Sequence, residues 1–233
     1  MLAHDILGIP GNRIRVVAPD VGGGFGLKEA PVPEYVLAMI GAKRLGKPVL
    51  WMAERGESFL SDFHARDNYS TATLGLDAQG HFLALKVDTI ANIGAYISPN
   101  GLHVSTNNLG GLAGVYRTPH IHTRVTGIFS NTQPTAPYRG AGRPEATYAI
   151  ERVIDIAARR CGFDPVELPR KNLIAPGQMP YDTKFIFTYA SGEFERNMDD
   201  ALALSDWKGA GKRKSEARKR GKLRGIGIAN AIE

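Results

Sequence analysis

The sequence predicts an α+β fold, mixed sheets with packed helices, and three observations carry that expectation. Two stretches, residues 33–45 and 144–160, place apolar residues at helical spacing. Two runs that alternate in character flank Asp77-Ala78-Gln79-Gly80, a turn signal, and read as a hairpin. Two glycine-rich loops, at 20–29 and 133–145, each stand between a β-like run and a helical one.

In chain order, residues 13–18 read as a buried strand that runs into the first loop. Gly22, Gly23, Gly24 and Gly26 cannot sit in an ordinary helix or strand, where each glycine costs about 0.5–1 kcal/mol of backbone entropy. They provide backbone without Cβ atoms, free to take positive φ and to present bare N–H groups to a ligand. The loop is not a P-loop, because Glu29 rather than Ser or Thr follows Lys28. Nor is it a dinucleotide fingerprint, because Leu27 holds the sixth position counted from Gly22. A helix over 33–45 follows, with Val36, Leu37, Ile40 and Leu45 on its apolar side and Gly46 and Pro48 as stop signals. Residues 48–52 read as another buried strand, so the opening is βαβ-like. Residues 59–68 are polar and mixed.

The hairpin strands are expected at 69–76 and 81–90, an irregular or short helical stretch around a site at 92–114, and a strand at 122–130. The helix over 144–160 starts on Pro144 and carries the stripe Ala146, Ala149, Val153, Ile156 and Ala157, with Gly162 as its end. Asp164-Pro165-Val166-Glu167 opens the next helix as an N-cap acid, Pro at the first position and Glu at the third. Residues 172–189 are irregular and mark a boundary. A helix over 194–204 and a strand over 223–232 complete the chain.

Composition sets outer limits. A hydrophobic share of 43% and a charged share of 22% suit a globular protein with a real core. No apolar run reaches the roughly 18–20 residues of a membrane span, and the first residues lack the basic and apolar regions of a signal peptide. With Cys161 as the one cysteine, this chain builds no internal disulfide and no cysteine-ligated zinc or iron–sulfur site. That suits a reducing, cytoplasmic setting. The net charge of +6 is local: nine basic residues against Glu216 make residues 208–224 +8, which leaves the rest at −2. A solvated helix or linker is favoured there over a nucleic-acid surface, because no aromatic residues interleave the charges.

The second loop, Gln133-Pro134-Thr135-Ala136-Pro137-Tyr138-Arg139-Gly140-Ala141-Gly142-Arg143-Pro144-Glu145, combines glycines, two arginines and a helix start, the parts that hold an anion. Paired with the first loop, it resembles the molybdenum-binding subunit of the xanthine dehydrogenase, aldehyde oxidase and carbon monoxide dehydrogenase large-chain family. Glu54-Arg55 through Phe59-Leu60-Ser61 and His64, and Glu151-Arg152 through Asp164-Pro165 to Lys171-Asn172, resemble that family too.

The resemblance implies a first molybdopterin-binding domain over 1–176, N-terminally incomplete, and the start of a second, truncated one over 177–233. The implied cofactor is molybdenum held by molybdopterin cytosine dinucleotide or its shorter form. Cofactor contacts fall to Gly23, Gly24, Phe25, Gly26, Arg139, Gly140 and Ala141, with the backbone of Phe25 and Arg139 beside the metal. Glu29 and Ala141 take substrate-facing positions. The implied reaction is hydroxylation of an aldehyde or N-heterocycle with water as oxygen source. Electrons leave through iron–sulfur and FAD centres on partner subunits of a hetero-oligomer.

Departures narrow the substrate. Gly140 stands where copper–molybdenum carbon monoxide dehydrogenases carry a cysteine, a soft ligand for Cu(I). Ala141 stands where xanthine-type enzymes stack a phenylalanine on the purine, a contact worth about 0.5–1.5 kcal/mol beyond area burial. The family's general base lies in a Gly-Glu motif near the end of a longer subunit, so no catalytic residue is assigned here, Glu57 included, and this chain by itself is expected to be inactive.

The remaining candidates weigh less. His120 and His122 can share a strand face but lack a third metal ligand, so exposed or hydrogen-bonded histidines are favoured. Cys161 is expected to be a small buried residue, and Lys28 a surface or ion-paired lysine. Beside the molybdenum hydroxylase stand two alternatives, a basic nucleic-acid-binding module and a non-catalytic scaffold.

Overall fold

The hairpin frames the main sheet. The computed structural model describes residues 2–29 and 31–232. In it β1 (Asn68–Leu76) pairs antiparallel with β2 (Phe82–Gly94), Leu74 opposite Leu85 and Asn68 opposite Ala91, with a register shift at Gly75/Leu76. β3 (His120–Phe129) completes the order β1-β2-β3. The turn closes through one carboxylate: Asp77 Oδ1 accepts from the N–H groups of Gln79 and His81 at 2.9 and 2.8 Å. Those bonds, His81's backbone first, hold the Asp77 carboxyl below its ordinary range.

The described residues form two compact units interleaved along the chain. One comprises Met1–Asp67, Asn92–Val104 and Ile128–Ala141; the other comprises Asn68–Ala91, Ser105–Gly127 and Gly142–Glu233.

The second unit holds most of the apolar core: Phe82, Leu85, Val87, Leu112, Tyr116, Ile150, Ile154, Leu168 and Met198. In it α4 (Arg143–Cys161) packs on β1 and on the tight helical turn Asn107–Ala113. The helix buries Ala146, Ile150, Ile154 and Ala158, one step round from the expected stripe. Its apolar arc is broad, and packing chose the i, i+4 line through the middle, leaving Ala149, Val153 and Ala157 as half-buried flanks. Asp164 Oδ1 accepts from the N–H groups of Val166 and Glu167, at 2.8 and 3.0 Å, closing the turn that leads into α5 (Glu167–Asn172); the helix starts later than expected, with Val166 at its N-cap and no side-chain cap. Then come a two-residue pairing of β4 (Tyr181–Asp182) with β5 (Thr188–Tyr189), α6 (Phe194–Leu204) and α7 (Ala210–Lys219). α7 carries much of the basic run; Ala217 is its one buried residue, and Arg213 pairs with Asp206.

In the first unit the βαβ-like opening is not formed. Its helix α1 (Pro33–Leu45) is there, ended by Gly46 at φ 63°, but it buries none of its residues. The expected strands at 13–18 and 48–52 are not strands; Val16 is 85% and Leu50 91% exposed. A strand needs a neighbour for its backbone groups, and among the described residues neither run has one. The expected strand at 223–232 is likewise absent: Ile228 and Ile232 pack on the second unit's core with no ladder. α2 (Arg55–Ser61) forms where a mixed stretch begins, with Glu57 closing a capping box by accepting from the Glu54 N–H at 3.3 Å. The 92–114 stretch resolves into the end of β2, the short helix α3 (Gly101–Thr106) and the turn Asn107–Ala113.

Candidate functional site

The first glycine loop and residues 133–141 of the second belong to the first unit, although more than a hundred residues of sequence separate them; Gly142 begins the other unit's part of the chain. In the first loop Gly23, Phe25 and Gly26 take φ of 119°, 52° and 95°, left-handed values that a side chain other than an unusual one avoids. A Cβ on Gly26 would stand 2.6 Å from the carbonyl oxygen of Pro137, and one on Gly23 would stand 2.5 Å from the Phe25 ring. At Gly26 glycine is a steric requirement, because the clash is with backbone; at Gly23 the exposed Phe25 ring could swing away, and it is the φ of 119° that favours glycine. At Gly22 nothing lies within 4 Å of where a Cβ would be, and at Gly24 only Lys28 Cβ does, at 4.0 Å. Their backbones face open space.

The second loop meets the first through the backbone. The Arg139 N–H donates to the Phe25 carbonyl at 2.9 Å. Gly140 and Ala141 follow at φ 92° and 45°, and the Ala141 N–H turns back onto Tyr138 O at 2.6 Å. The approach to this loop is pinned from two other sides. His64 bridges to Thr135, its N–H donating to Pro134 O at 3.2 Å and its carbonyl accepting from Ala136 at 2.9 Å. Ser98 Oγ donates to Thr135 O at 2.7 Å.

All the residues singled out from the sequence for the cofactor are therefore in one unit: Gly23, Gly24, Phe25, Gly26, Arg139, Gly140 and Ala141. Glu29 ends the same loop, its N–H on Gly26 O at 3.1 Å and its side chain exposed, as Lys28 is. Arg66 carries no sequence signal; its guanidinium donates to the Arg139 carbonyl and lies 4.8 Å over the Tyr138 ring. Among the described residues the backbone N–H groups from Gly22 to Leu27 have no protein partner, and neither has the Arg139 guanidinium. Bare donors and an unpaired arginine side chain in the same unit suit a phosphate-bearing ligand, and molybdopterin is one.

Other candidates fall away. His120 and His122 are exposed on β3, and no group of three metal-binding side chains occurs among the described residues. Cys161 is exposed, not buried as expected, because it falls on the outer side of the last turn of α4. Sequence reading also missed a buried polar cluster in the second unit. There Tyr116 Oη donates to Glu151 Oε1 at 2.6 Å and accepts from Asn230 Nδ2 at 3.1 Å. Burial pushes the Glu151 carboxyl up to about 7 and the Tyr116 hydroxyl well above its ordinary range.

An α+β chain whose two glycine loops close on each other through main-chain contacts has the form of a cofactor-binding domain. Residues 1–173 match the model of the molybdopterin cofactor-binding domain, and the chain belongs to that family. It is 35% identical over 210 residues to the carbon monoxide dehydrogenase large chain of Hydrogenophaga pseudoflava, covering 86% of this chain and 25% of that one. It is 32% identical to the 6-hydroxypseudooxynicotine dehydrogenase complex subunit gamma of Paenarthrobacter nicotinovorans, covering 96% of this chain and 29% of that one. The crystal structure of quinoline 2-oxidoreductase from Pseudomonas putida 86 superposes with a TM-score of 0.80 at 33% identity, covering 87% of this chain and 26% of that one. The mixed α+β architecture is thus the one its solved relatives share. The chain spans only 25–29% of the length of these curated relatives.

Proposed function

We propose that this chain forms one wall of the molybdopterin site of a molybdenum hydroxylase that oxidises an aldehyde or N-heterocycle. The observation that carries the reading is the Arg139 N–H bond to the Phe25 carbonyl, which leaves the N–H side of the first loop and the Arg139 guanidinium open on one unit. Bound there, the molybdenum cofactor would supply oxidation of an electrophilic carbon with oxygen taken from water. The chain's own part is to hold and orient: Gly22 to Gly26 offer unobstructed backbone donors, Arg139 a fixed positive charge, and Gly140 and Ala141 a turn without bulk.

Glu29, at the open end of the loop, and Ala141 are the proposed substrate-facing positions. Gly140 offers no thiolate where the copper-dependent relatives of the family carry a soft cysteine ligand, so carbon monoxide is disfavoured as substrate. In the proposed assembly the general base comes from further polypeptide, and the chain alone is inactive. We further propose the cytosine dinucleotide form of the cofactor, iron–sulfur and FAD partner subunits in a cytoplasmic hetero-oligomer, and a boundary between two molybdopterin-binding domains after residue 176. Support for separate subunits comes from the 6-hydroxypseudooxynicotine dehydrogenase relative, which by name is one subunit of a complex.

The test is metal analysis of the full-length subunit purified in its complex from a host that makes the cofactor. Molybdenum should co-purify. Arg139→Ala should weaken cofactor retention about tenfold or more, the value of one charge-assisted contact. Wild-type protein without molybdenum would overturn the reading.

A further inference from the structure

We propose that Arg66 is the positioning residue that holds the second glycine loop closed on the first, and thereby sets the cofactor wall; the cofactor part of this rests on the function proposed above. The Arg139 peptide is clasped on both edges. Its N–H goes to the Phe25 carbonyl at 2.9 Å, and its carbonyl receives the Arg66 guanidinium. The same guanidinium lies 4.8 Å over the ring of Tyr138, the residue just before. One side chain therefore fixes two consecutive residues of the loop, one by a donated hydrogen bond and the other by its charge over the ring.

The reach of Arg66 is itself fixed. Two residues earlier His64 is bridged to Thr135, with backbone bonds in both directions and its Nε2 3.0 Å from the Gln133 carbonyl. Arg66 takes φ 63°, a left-handed value that a long side chain adopts only where its surroundings enforce it. The stretch from His64 to Arg66 thus runs alongside 133–139 as a brace. Arginine suits the end of such a brace because it combines a planar donor fork with a face that stacks on an aromatic ring; lysine offers a point charge and no plane. Arg66 is exposed, so removing it leaves the Arg139 carbonyl to water rather than buried and unpaired. The effect should be loss of position, not loss of fold.

The experiment compares wild type, Arg66→Ala and Arg66→Lys in the full-length subunit within its complex, by hydrogen–deuterium exchange and by molybdenum content. Both variants should exchange faster in peptides covering 136–142 and 22–28, with peptides from β1 and β2 unchanged. Both should retain about threefold to tenfold less molybdenum through purification, the loss of one hydrogen bond to a charged donor. Unchanged exchange in the loop peptides overturns the proposal, and so does equal acceleration in β1 and β2, which marks general destabilisation. Faster loop exchange with full molybdenum overturns the link to the cofactor. A lysine variant that behaves as wild type overturns the requirement for a planar group. Wild type lacking molybdenum would sink the proposed function instead, and loop exchange would still decide what Arg66 does.

Discussion

Glu151 is a residue whose chemistry departs far from its free form. It is 9% exposed on α4, with the Tyr116 hydroxyl at 2.6 Å, and burial raises its pKa from 4.5 to about 7 even though its bonds to Tyr116 and the Asn230 backbone pull the other way. Between those two values the folded protein keeps a proton that the unfolded chain has released. Stability is therefore full below pH 4.5 and falls as pH rises towards 7, on the order of 3 kcal/mol in total. Asp77 and Asp88 slope the opposite way, since their carboxyls are held below the ordinary 3.8 and lose stabilisation as pH falls through that region. Glu151→Gln keeps the acceptor for Tyr116 and has no proton to lose. Urea unfolding of the two proteins from pH 4.5 to 8 should show the downward slope in wild type and a flatter curve in the variant. Equal slopes would mean that Glu151 is not the group responsible.

At the scale of elements, the join between the hairpin and α5 rests on Asn172. Its Oδ1 accepts from the Phe82 N–H at 2.8 Å, and its Nδ2 donates to the carbonyls of Gly80 and Leu168, both at 2.9 Å. Asn172→Ala would leave buried backbone groups unpaired, so about 2–4 kcal/mol of stability should be lost, read as a lowered unfolding midpoint. An effect within experimental error would show that water replaces these bonds. The hairpin and helices at 33–45, 144–160 and 194–204 were legible in the sequence because their signals are local: alternation, an Asp-to-Gly turn, apolar spacing, a glycine stop. The runs at 13–18, 48–52 and 223–232 look just as β-like, yet strand formation depends on a partner elsewhere, and periodicity carries no information about that partner.

On the scale of the whole molecule, the site is a long-range construction. The glycines and Arg139 stood out by composition, and their pairing came from resemblance to a family. Arg66 was invisible because its task is a side-chain bond to a carbonyl 73 residues away, which leaves no spacing pattern. The first unit also exposes Val16, Val17, Leu50, Met52, Phe59 and Leu60, more large apolar side chains than isolated surface residues explain. The 233-residue chain made by itself should accordingly bind the dye ANS and self-associate, and Val16→Ser with Leu50→Ser and Met52→Ser should reduce both. A monodisperse chain without dye binding would show that these residues are not sticky in practice. The interleaving of the two units has a further consequence, in the order of synthesis. A ribosome adding roughly 5–20 residues per second needs on the order of 10 s to travel from the first glycine loop to the second. Throughout that interval Phe25 has been made while the amide that will take its carbonyl has not. The bond between the two loops can thus form only once the later-made polypeptide has arrived.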